Sequence, residues 1–186
     1  NTFSVDNFTV SSGGQFTMNH SVTATGGVSN AGTLTNTGLI DGNVILDDSI
    51  LRLNGLTSRV TGSVSGGVGS TGTGNGTFTT ENTFGVDNFT ISAGGRFNMN
   101  HGVTAASGVS NAGTLAVASG VNATVTGNYT QAAGGNFEIS ASTPDNFGTL
   151  AVTGTADLSA SGLVTVNLPS VLTVGTVQDV LTAGTL

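Results

Sequence analysis

NTFSVDNFTVSSGGQFTMNHSVTATGGVSNAGTL, from Asn1 to Leu34, comes back as NTFGVDNFTISAGGRFNMNHGVTAASGVSNAGTL from Asn82 to Leu115. Asn82 thus stands for Asn1 and Leu115 for Leu34, and eight of the 34 aligned positions differ, leaving 26 identical. A block repeated this closely belongs to an array: a unit that cannot bury its own apolar face stacks on its neighbour, and the stack shares one core. Within the block, Asn30-Ala31-Gly32-Thr33-Leu34 is followed six residues on by Asn36-Thr37-Gly38-Leu39-Ile40, and the first form returns as Asn111-Ala112-Gly113-Thr114-Leu115. Asn-x-Gly-x-apolar sets a turn former, a glycine tolerant of unusual φ and an inward apolar residue in fixed order. Stacked coil upon coil, such turns let the Asn amides form a ladder. Gly-Thr-Leu begins four times, at Gly32, Gly113, Gly148 and Gly184. At about 20 residues per coil the offset between the copies spans about four coils. At about 4.8 Å per coil the copies stand about 19 Å apart along the axis.

Composition agrees with an all-β chain. Thirty Gly, abundant Thr and Val, and no Lys run against long helices and toward short extended segments. Val5, Phe8 and Val10, then Phe16 and Met18, then Val22 and Ala24 alternate with polar residues and are broken by Gly13-Gly14 and Gly26-Gly27. The rhythm continues at Val44 to Leu46, Ile50 to Leu53, Val60 to Val64, Leu115 to Val117, Phe137 to Ile139, Leu150 to Val152 and Leu163 to Leu168. Pro occurs only at 144 and 169, so almost every N–H can enter a ladder. The repeat and its turn spacing favour a right-handed parallel β-helix, a β-solenoid with little or no helix, over a globular sandwich.

Charge narrows the partners. Only 7% of residues are charged, against about 25% in an ordinary soluble domain. Thr, Ser, Asn and Gly therefore carry the surface. The cations are Arg52, Arg59 and Arg96, and the net charge is −7. Nucleic acid and anionic membrane surfaces are poor partners for such a chain, since both are held through Lys and Arg. Absence of Cys excludes disulfides and thiolate metal sites. No apolar run is long enough for a membrane-spanning helix. No signal peptide opens the chain, and it starts inside a repeat, as a fragment or a processed segment would.

Two later stretches carry a family resemblance. Gly32 to Ser70 reads GTLTNTGLIDGNVILDDSILRLNGLTSRVTGSVSGGVGS, and Gly127 to Ser140 reads GNYTQAAGGNFEIS, followed by FGTLAVTGTADLSASGLVTVNL from Phe147 to Leu168. Together they resemble the passenger region of bacterial autotransporters, the type V secreted proteins. In that family a stretch like G-x-Y-x-Q…G-G-x-F/L-x-I, followed by L-x-V-x-G-x-A-x-L, lies toward the end of the passenger. Gly127, Tyr129, Gln131, Gly134, Gly135, Phe137, Ile139, Leu150, Val152, Gly154, Ala156 and Leu158 fit it position by position. The resemblance implies export, a right-handed β-helix and surface display. No barrel, and no passenger protease or lipase motif, is present in these residues. Lack of Cys suits a passenger threaded unfolded through the outer membrane.

Few residues invite chemistry. Met18-Asn19-His20 recurs as Met99-Asn100-His101, and Met with His could ligate copper. Copied architecture explains it better: Met in the core, His at a coil corner, and the copies too far apart to share one ion. Gly66-Gly67-Val68-Gly69-Ser70-Thr71-Gly72 resembles a calcium β-roll repeat, but Thr71 stands where Asp is required. Val64 to Gly76 thus reads as a flexible turn or an emerging loop. It is not a phosphate loop, because no Gly-Lys-Ser/Thr follows. Asp47-Asp48 is the one adjacent acid pair, with Asp41 before it and Arg52 after it. Consecutive side chains of extended backbone diverge, so the pair reads as a solvated turn. No G-x-S-x-G elbow fixes a triad for His20 or His101. Thr-x-Thr pairs such as Thr33-Leu34-Thr35 and Thr77-Phe78-Thr79 are scattered and form no unbroken file. No residue is singled out as catalytic, cofactor-binding or metal-ligating, and no cofactor is expected.

Residues 1–126 read as a β-solenoid holding the duplicated block (1–34 and 82–115), and 127–186 as continuing solenoid of the passenger-end type. Turns are expected at Pro144-Asp145 and Pro169-Ser170. The expected function is non-enzymatic: a structural or adhesive rod, secreted or held at the bacterial surface, facing host or neighbouring-cell molecules or glycans. Self-assembly into a filament, surface layer or biofilm matrix is the alternative, since an open coil end and few charged gatekeepers invite stacking. A β-helix carbohydrate-active enzyme is the third class.

Overall fold

In the computed structural model, residues 2–54, 58–67, 69–74, 77–80, 82–143, 145–168 and 179–186 are described. Pro144 and the Pro169-Ser170 step lie outside these residues. The chain is an all-β parallel solenoid, and no helix occurs among the described residues. Its strands run in three files. The first face stacks Thr2–Val5, Ser21–Ala24, Leu39–Asp41, Ser58–Val60, Thr77–Thr80, Arg96–Met99, Thr114–Val117, Asn136–Thr143 and Leu163–Asn167. The second begins Phe8–Val10, Val28–Asn30, Val44–Leu46 and Val64–Gly66, and the third Gln15–Met18, Thr33–Asn36, Ile50–Leu53 and Thr71–Gly74. Beyond residue 83 these two faces merge through long bent strands, Phe84–Ile91, Val103–Asn111 and Thr149–Asp157, each crossing a corner without breaking.

Register gives the length of each turn. Along the first face the partners Thr2↔Ser21, Val22↔Ile40, Leu39↔Arg59, Ser58↔Phe78, Thr77↔Arg96 and Arg96↔Thr114 keep an almost constant step. That step is roughly one turn per 18–20 residues, at the short end of solenoid repeats. About six regular turns thus run from Thr2 to Asn111. Thr114↔Asn136 and Asn136↔Leu163 then mark two longer turns, the second longer than the first. Part of that extra length is a small antiparallel hairpin, with Ala141 opposite Phe147 and Thr143 opposite Asn146.

The step from one copy of the block to the other is not a whole number of such turns. Thr2–Val5 lies on the first face of turn 1, whereas its copy at Phe84–Val86 lies on the second face of turn 5. Likewise Gln15–Met18 is on the third face and Arg96–Met99 on the first. The offset is four turns and one face, so the second copy is rotated by one side of the prism relative to the first. The expected four turns fell short by a third of a turn.

Each strand points alternate residues inward. Thr33–Asn36, for example, buries Leu34 and Asn36 and exposes Thr33 and Thr35 in part. The interior is one apolar column including Ile40, Leu51, Leu53, Val60, Phe89, Phe97, Leu115 and Ile139, all at 1% exposure or less. Burying one such side chain fully is worth about 1.5–3 kcal/mol. In the second copy, Phe84, Phe89 and Phe97 form an aromatic layer, with centroids 4.9, 5.1 and 6.3 Å apart.

Four expectations change here. Val60 to Val64 is a corner between Ser58–Val60 and Val64–Gly66, not a strand. Val64 to Gly76 is not an emerging loop, since Val64–Gly66 and Thr71–Gly74 pair in register above and below; Val68, Asn75 and Gly76 lie outside the described residues. Gly72 and Gly74 point inward, and a Cβ on Gly72 would stand 2.9 Å from Phe84 and 3.1 Å from Phe89. Glycine there makes room for aromatic rings.

The Asn-x-Gly turns also differ from expectation. Gly32 and Gly113 do not have positive φ. They are glycine because a Cβ would run into carbonyl oxygens of the turn below, those of Ser11 and Gly14 or of Ser92 and Gly95. No Asn ladder forms either: Asn30 stacks between Val10 and Leu46, Asn36 between Met18 and Leu53, and Asn111 between Ile91 and Gln131. Asn30 instead lies wholly buried at the strand end, accepts from Gly32 N (3.1 Å) and donates to Ile50 O of the next turn (2.9 Å). Its amide closes one corner and ties it to the next.

Candidate functional site

The outward positions of the second face form a file in register: Thr9, Ser29, Ile45, Ser65, Gly85, Thr104 and Thr126. At Gly85 the file lacks a side chain, and a Cβ there would meet nothing nearer than 3.9 Å. The gap opens a groove of about 650 Å³ along this face and its corner with the first. Its rim is Ser65, Asn82, Thr83, His101, Thr104 and Thr126, and its floor is Val64, Phe84, Gly85, Gly102 and Val103. His101 lies over the floor with Nδ1 2.9 Å from the Gly102 carbonyl; a carbonyl only accepts, so Nδ1 carries the proton in this contact. Thr83 Oγ1 donates to Ser63 Oγ at 2.9 Å. Among the described residues no Asp, Glu or Arg lines the groove. A smaller groove of about 270 Å³ lies on the same face nearer the start, bounded by Asn7, Thr9, Gly27, Ser29, Asn43 and Ile45 among others. Ile45, 57% exposed, stands between Ser29 and Ser65 where the neighbours carry hydroxyls.

The groove was legible only in the difference between the two copies. Gly85 and Gly102 replace Ser4 and Ser21 of the first block. Two of the eight differences therefore strip side chains from its floor.

Residues that drew attention in the sequence are dispersed. Met18 and Met99 are buried at 3% and 1%, while His20 is exposed and His101 half-buried at corners. Core methionine and corner histidine are thus the arrangement seen. Among the described residues no three His, Asp or Glu side chains gather as a metal site. Asp41 lies at the first-to-second corner, where Thr61 Oγ1 donates to it at 2.8 Å, and Asp47 and Asp48 lie exposed at the second-to-third corner. The structure does not bring Asp41 to the pair. Arg52 is exposed on the third face between Thr35 and Thr73. It interrupts a hydroxyl file that runs Thr17, Thr35, then Thr73, Thr90, Ser110 and Thr130. Thr33-Leu34-Thr35 and Thr77-Phe78-Thr79 lie on different faces. In the β-roll-like stretch, Ser70 is buried: its Oγ donates to Gly67 O at 2.5 Å and accepts from Asp87 N at 3.0 Å. The Asp87 carboxyl is held below its usual range by hydrogen bonds from Ser107 Oγ (2.7 Å) and Gly69 N (3.0 Å).

Two polar clusters had no sequence signal. Arg96 reaches across Ala116 to Glu138 with two contacts, Nη2–Oε1 at 2.6 Å and Nη1–Oε2 at 2.9 Å, bracing turns two apart. That guanidinium holds the Glu138 carboxyl below the ordinary range. Inside the column, Tyr129 Oη accepts from Asn111 Nδ2 and donates to Gln131 Oε1, both at 3.0 Å. Gln131 Nε2 then donates to Gly135 O (3.1 Å) and Leu163 O (2.7 Å), stitching the wider turns together. Of the residues on which the sequence resemblance rests, Tyr129, Gln131, Phe137, Ile139, Leu150, Val152 and Ala156 are buried, so that part of the pattern describes the solenoid interior. Comparison with known protein families, with curated proteins and with solved structures finds no match to this chain.

Proposed function

We propose that the chain is a non-enzymatic structural and adhesive β-solenoid, part of an autotransporter-type passenger exported to the bacterial surface or released from it. The observation that carries this reading is the division of labour in the solenoid. The large side chains of the passenger-end pattern other than Leu158 sit in the column, with Gly127, Gly134, Gly154 and Leu158 nearer the surface, while the outward files of the three faces are mainly Thr, Ser, Asn and Gly. Such a rod holds its shape with little surface charge and offers flat hydrogen-bonding faces to another surface. The acids at Asp41 and at Asp47-Asp48, kept on separate corners, support a non-catalytic role. The test is to express the full open reading frame with an epitope tag in this region and treat intact cells with protease. Cleavage on intact cells and binding of the purified rod to target cells are expected. Retention inside the cell, or glycan turnover that Asp47→Ala abolishes, would overturn the reading.

A further inference from the structure

We infer that the second face is a binding track for a linear, uncharged glycan, seated in the groove at Gly85 and extending past Ile45 toward Gly27; this rests on the adhesive reading above and names its ligand. The size is right, since about 650 Å³ falls within the range of small-ligand clefts. The chemistry is more selective. The rim offers hydroxyls of Ser65, Thr83 and Thr104, the Asn82 amide and the His101 imidazole, with no Asp, Glu or Arg among the described residues that line it. An anionic ligand would find no counter-charge there and would approach a chain of net charge −7. A purely apolar ligand would cover the rim hydroxyls without satisfying them. A sugar ring meets both demands: its C–H face lies on the glycine floor and its hydroxyl edge reaches the rim.

Linearity follows from the layout. The two grooves share one face and lie along the rod axis, and Ile45, on the side of the smaller groove nearer the larger, is a large exposed apolar side chain in a file of hydroxyls. Successive turns repeat every ~4.8 Å, close to one unit of an extended sugar chain. A chain lying across the strands therefore meets a groove, then an apolar platform, then a groove. The copies add an independent sign. At the positions equivalent to Gly85 and Gly102 the first block, turned onto the first face, carries Ser4 and Ser21, and only the copy on the second face lacks both side chains, while the core residues around them are retained.

The experiment uses the whole chain on immobilised neutral oligosaccharides of two to eight gluco-, manno-, xylo- and N-acetylglucosamine units, with sulfated and sialylated forms beside them. Binding to a neutral series that tightens from dimer to hexamer is expected. Gly85→Thr fills the gap from a Cβ that meets nothing nearer than 3.9 Å, so its unfolding midpoint should hold or rise while affinity falls at least tenfold. Ile45→Thr should weaken the long oligosaccharides and leave the dimers unchanged. Thr90→Val, on the third face, should bind as the parent does. No neutral binding, preference for sulfated or sialylated forms, or equal affinity of Gly85→Thr and parent would each overturn the inference. If Gly85→Thr still binds target cells as the parent does, the groove assignment fails while the adhesive reading stands.

Discussion

Tyr129 is the single tyrosine of a chain without Trp, Cys or Lys, so between pH 9 and 12 one side chain dominates its titration. The ring is wholly buried between Val109 and Ala156. Removal from water is the main cause that pushes its phenol up to about 12, and the hydrogen bond from Asn111 offsets part of the rise. Ionisation would also turn the donor to Gln131 Oε1 into an anionic acceptor facing that neutral acceptor. With a folded value near 12 and an unfolded value near 10, the buried phenol stabilises the fold fully below pH 10, and that contribution is lost as pH rises through 12. The loss is about 1.4 kcal/mol at pH 11 and approaches about 2.7 kcal/mol above pH 12. The measurement is absorbance at 295 nm on the folded chain, paired with urea midpoints at pH 9 and 11. Tyr129→Phe should lower stability by about 1–3 kcal/mol at pH 7, because Gln131 Oε1 loses its donor in the core, and should flatten the alkaline decline. Reversible phenolate formation near pH 10 without unfolding, or an alkaline decline equally steep in the variant, would refute the reasoning.

Glu138→Gln should cost about 0.5–1 kcal/mol at pH 7, discounted because the Arg96 side chain is 37% exposed. Since the Glu138 carboxyl is depressed by Arg96, its contribution is present above the unfolded value near 4.3 and lost as pH falls through the folded one, so the parent should lose more stability than the variant between pH 6 and 3 in urea titrations. Gly72→Ala should destabilise by about 1–3 kcal/mol, by crowding the Phe84 and Phe89 rings. Gly85→Ala, with no neighbour nearer than 3.9 Å, should stay within about 0.5 kcal/mol of the parent in the same urea assay. Asn30→Ala should cost about 1–3 kcal/mol, since Ile50 O and Gly32 N both lose their partner, and it should raise hydrogen exchange at Gly32.

The strand signal survived translation into structure best in short, mainly apolar runs that hold no glycine. Val44–Leu46 and Ile50–Leu53 are strands with the bounds their pattern implied. It failed where glycine occupies an inward position. At Gly72 and Gly74 the core is built from the absence of side chains, and the partners that need the room, Phe84 and Phe89, lie one turn away in space but far along the chain. Val60 to Val64 failed for the converse reason: two inward valines flank a corner, and periodicity cannot tell a corner from a straight strand when both ends point inward. The Arg96–Glu138 pair, 42 residues apart, depends on register across two turns, which no local pattern encodes. The groove was partly legible, but only by comparing the chain with itself.

That self-comparison separates what holds the rod together from what it displays. Of the eight positions at which the copies differ, only Val10/Ile91 is buried in the second copy; Gly85, Ala93, Arg96, Asn98, Gly102, Ala106 and Ser107 lie outward or at corners. A buried exchange must keep volume and shape in a packed column, and Val to Ile is nearly the smallest change available. Outward exchanges carry no such demand. Because the copy is advanced by four turns and one face, retained core residues such as Met18 and Met99 pack from different sides of the prism. The column must therefore be nearly equivalent on all three sides for one block to fit twice. In such a column a duplicated block can turn by a face and still pack, placing new combinations of outward residues side by side. Gly85 meets Ser65 and Thr104 on the second face, whereas Ser4 meets Thr23 on the first. Surface variety in this rod thus arises from the mismatch between the length of the duplicated block and the length of the turn.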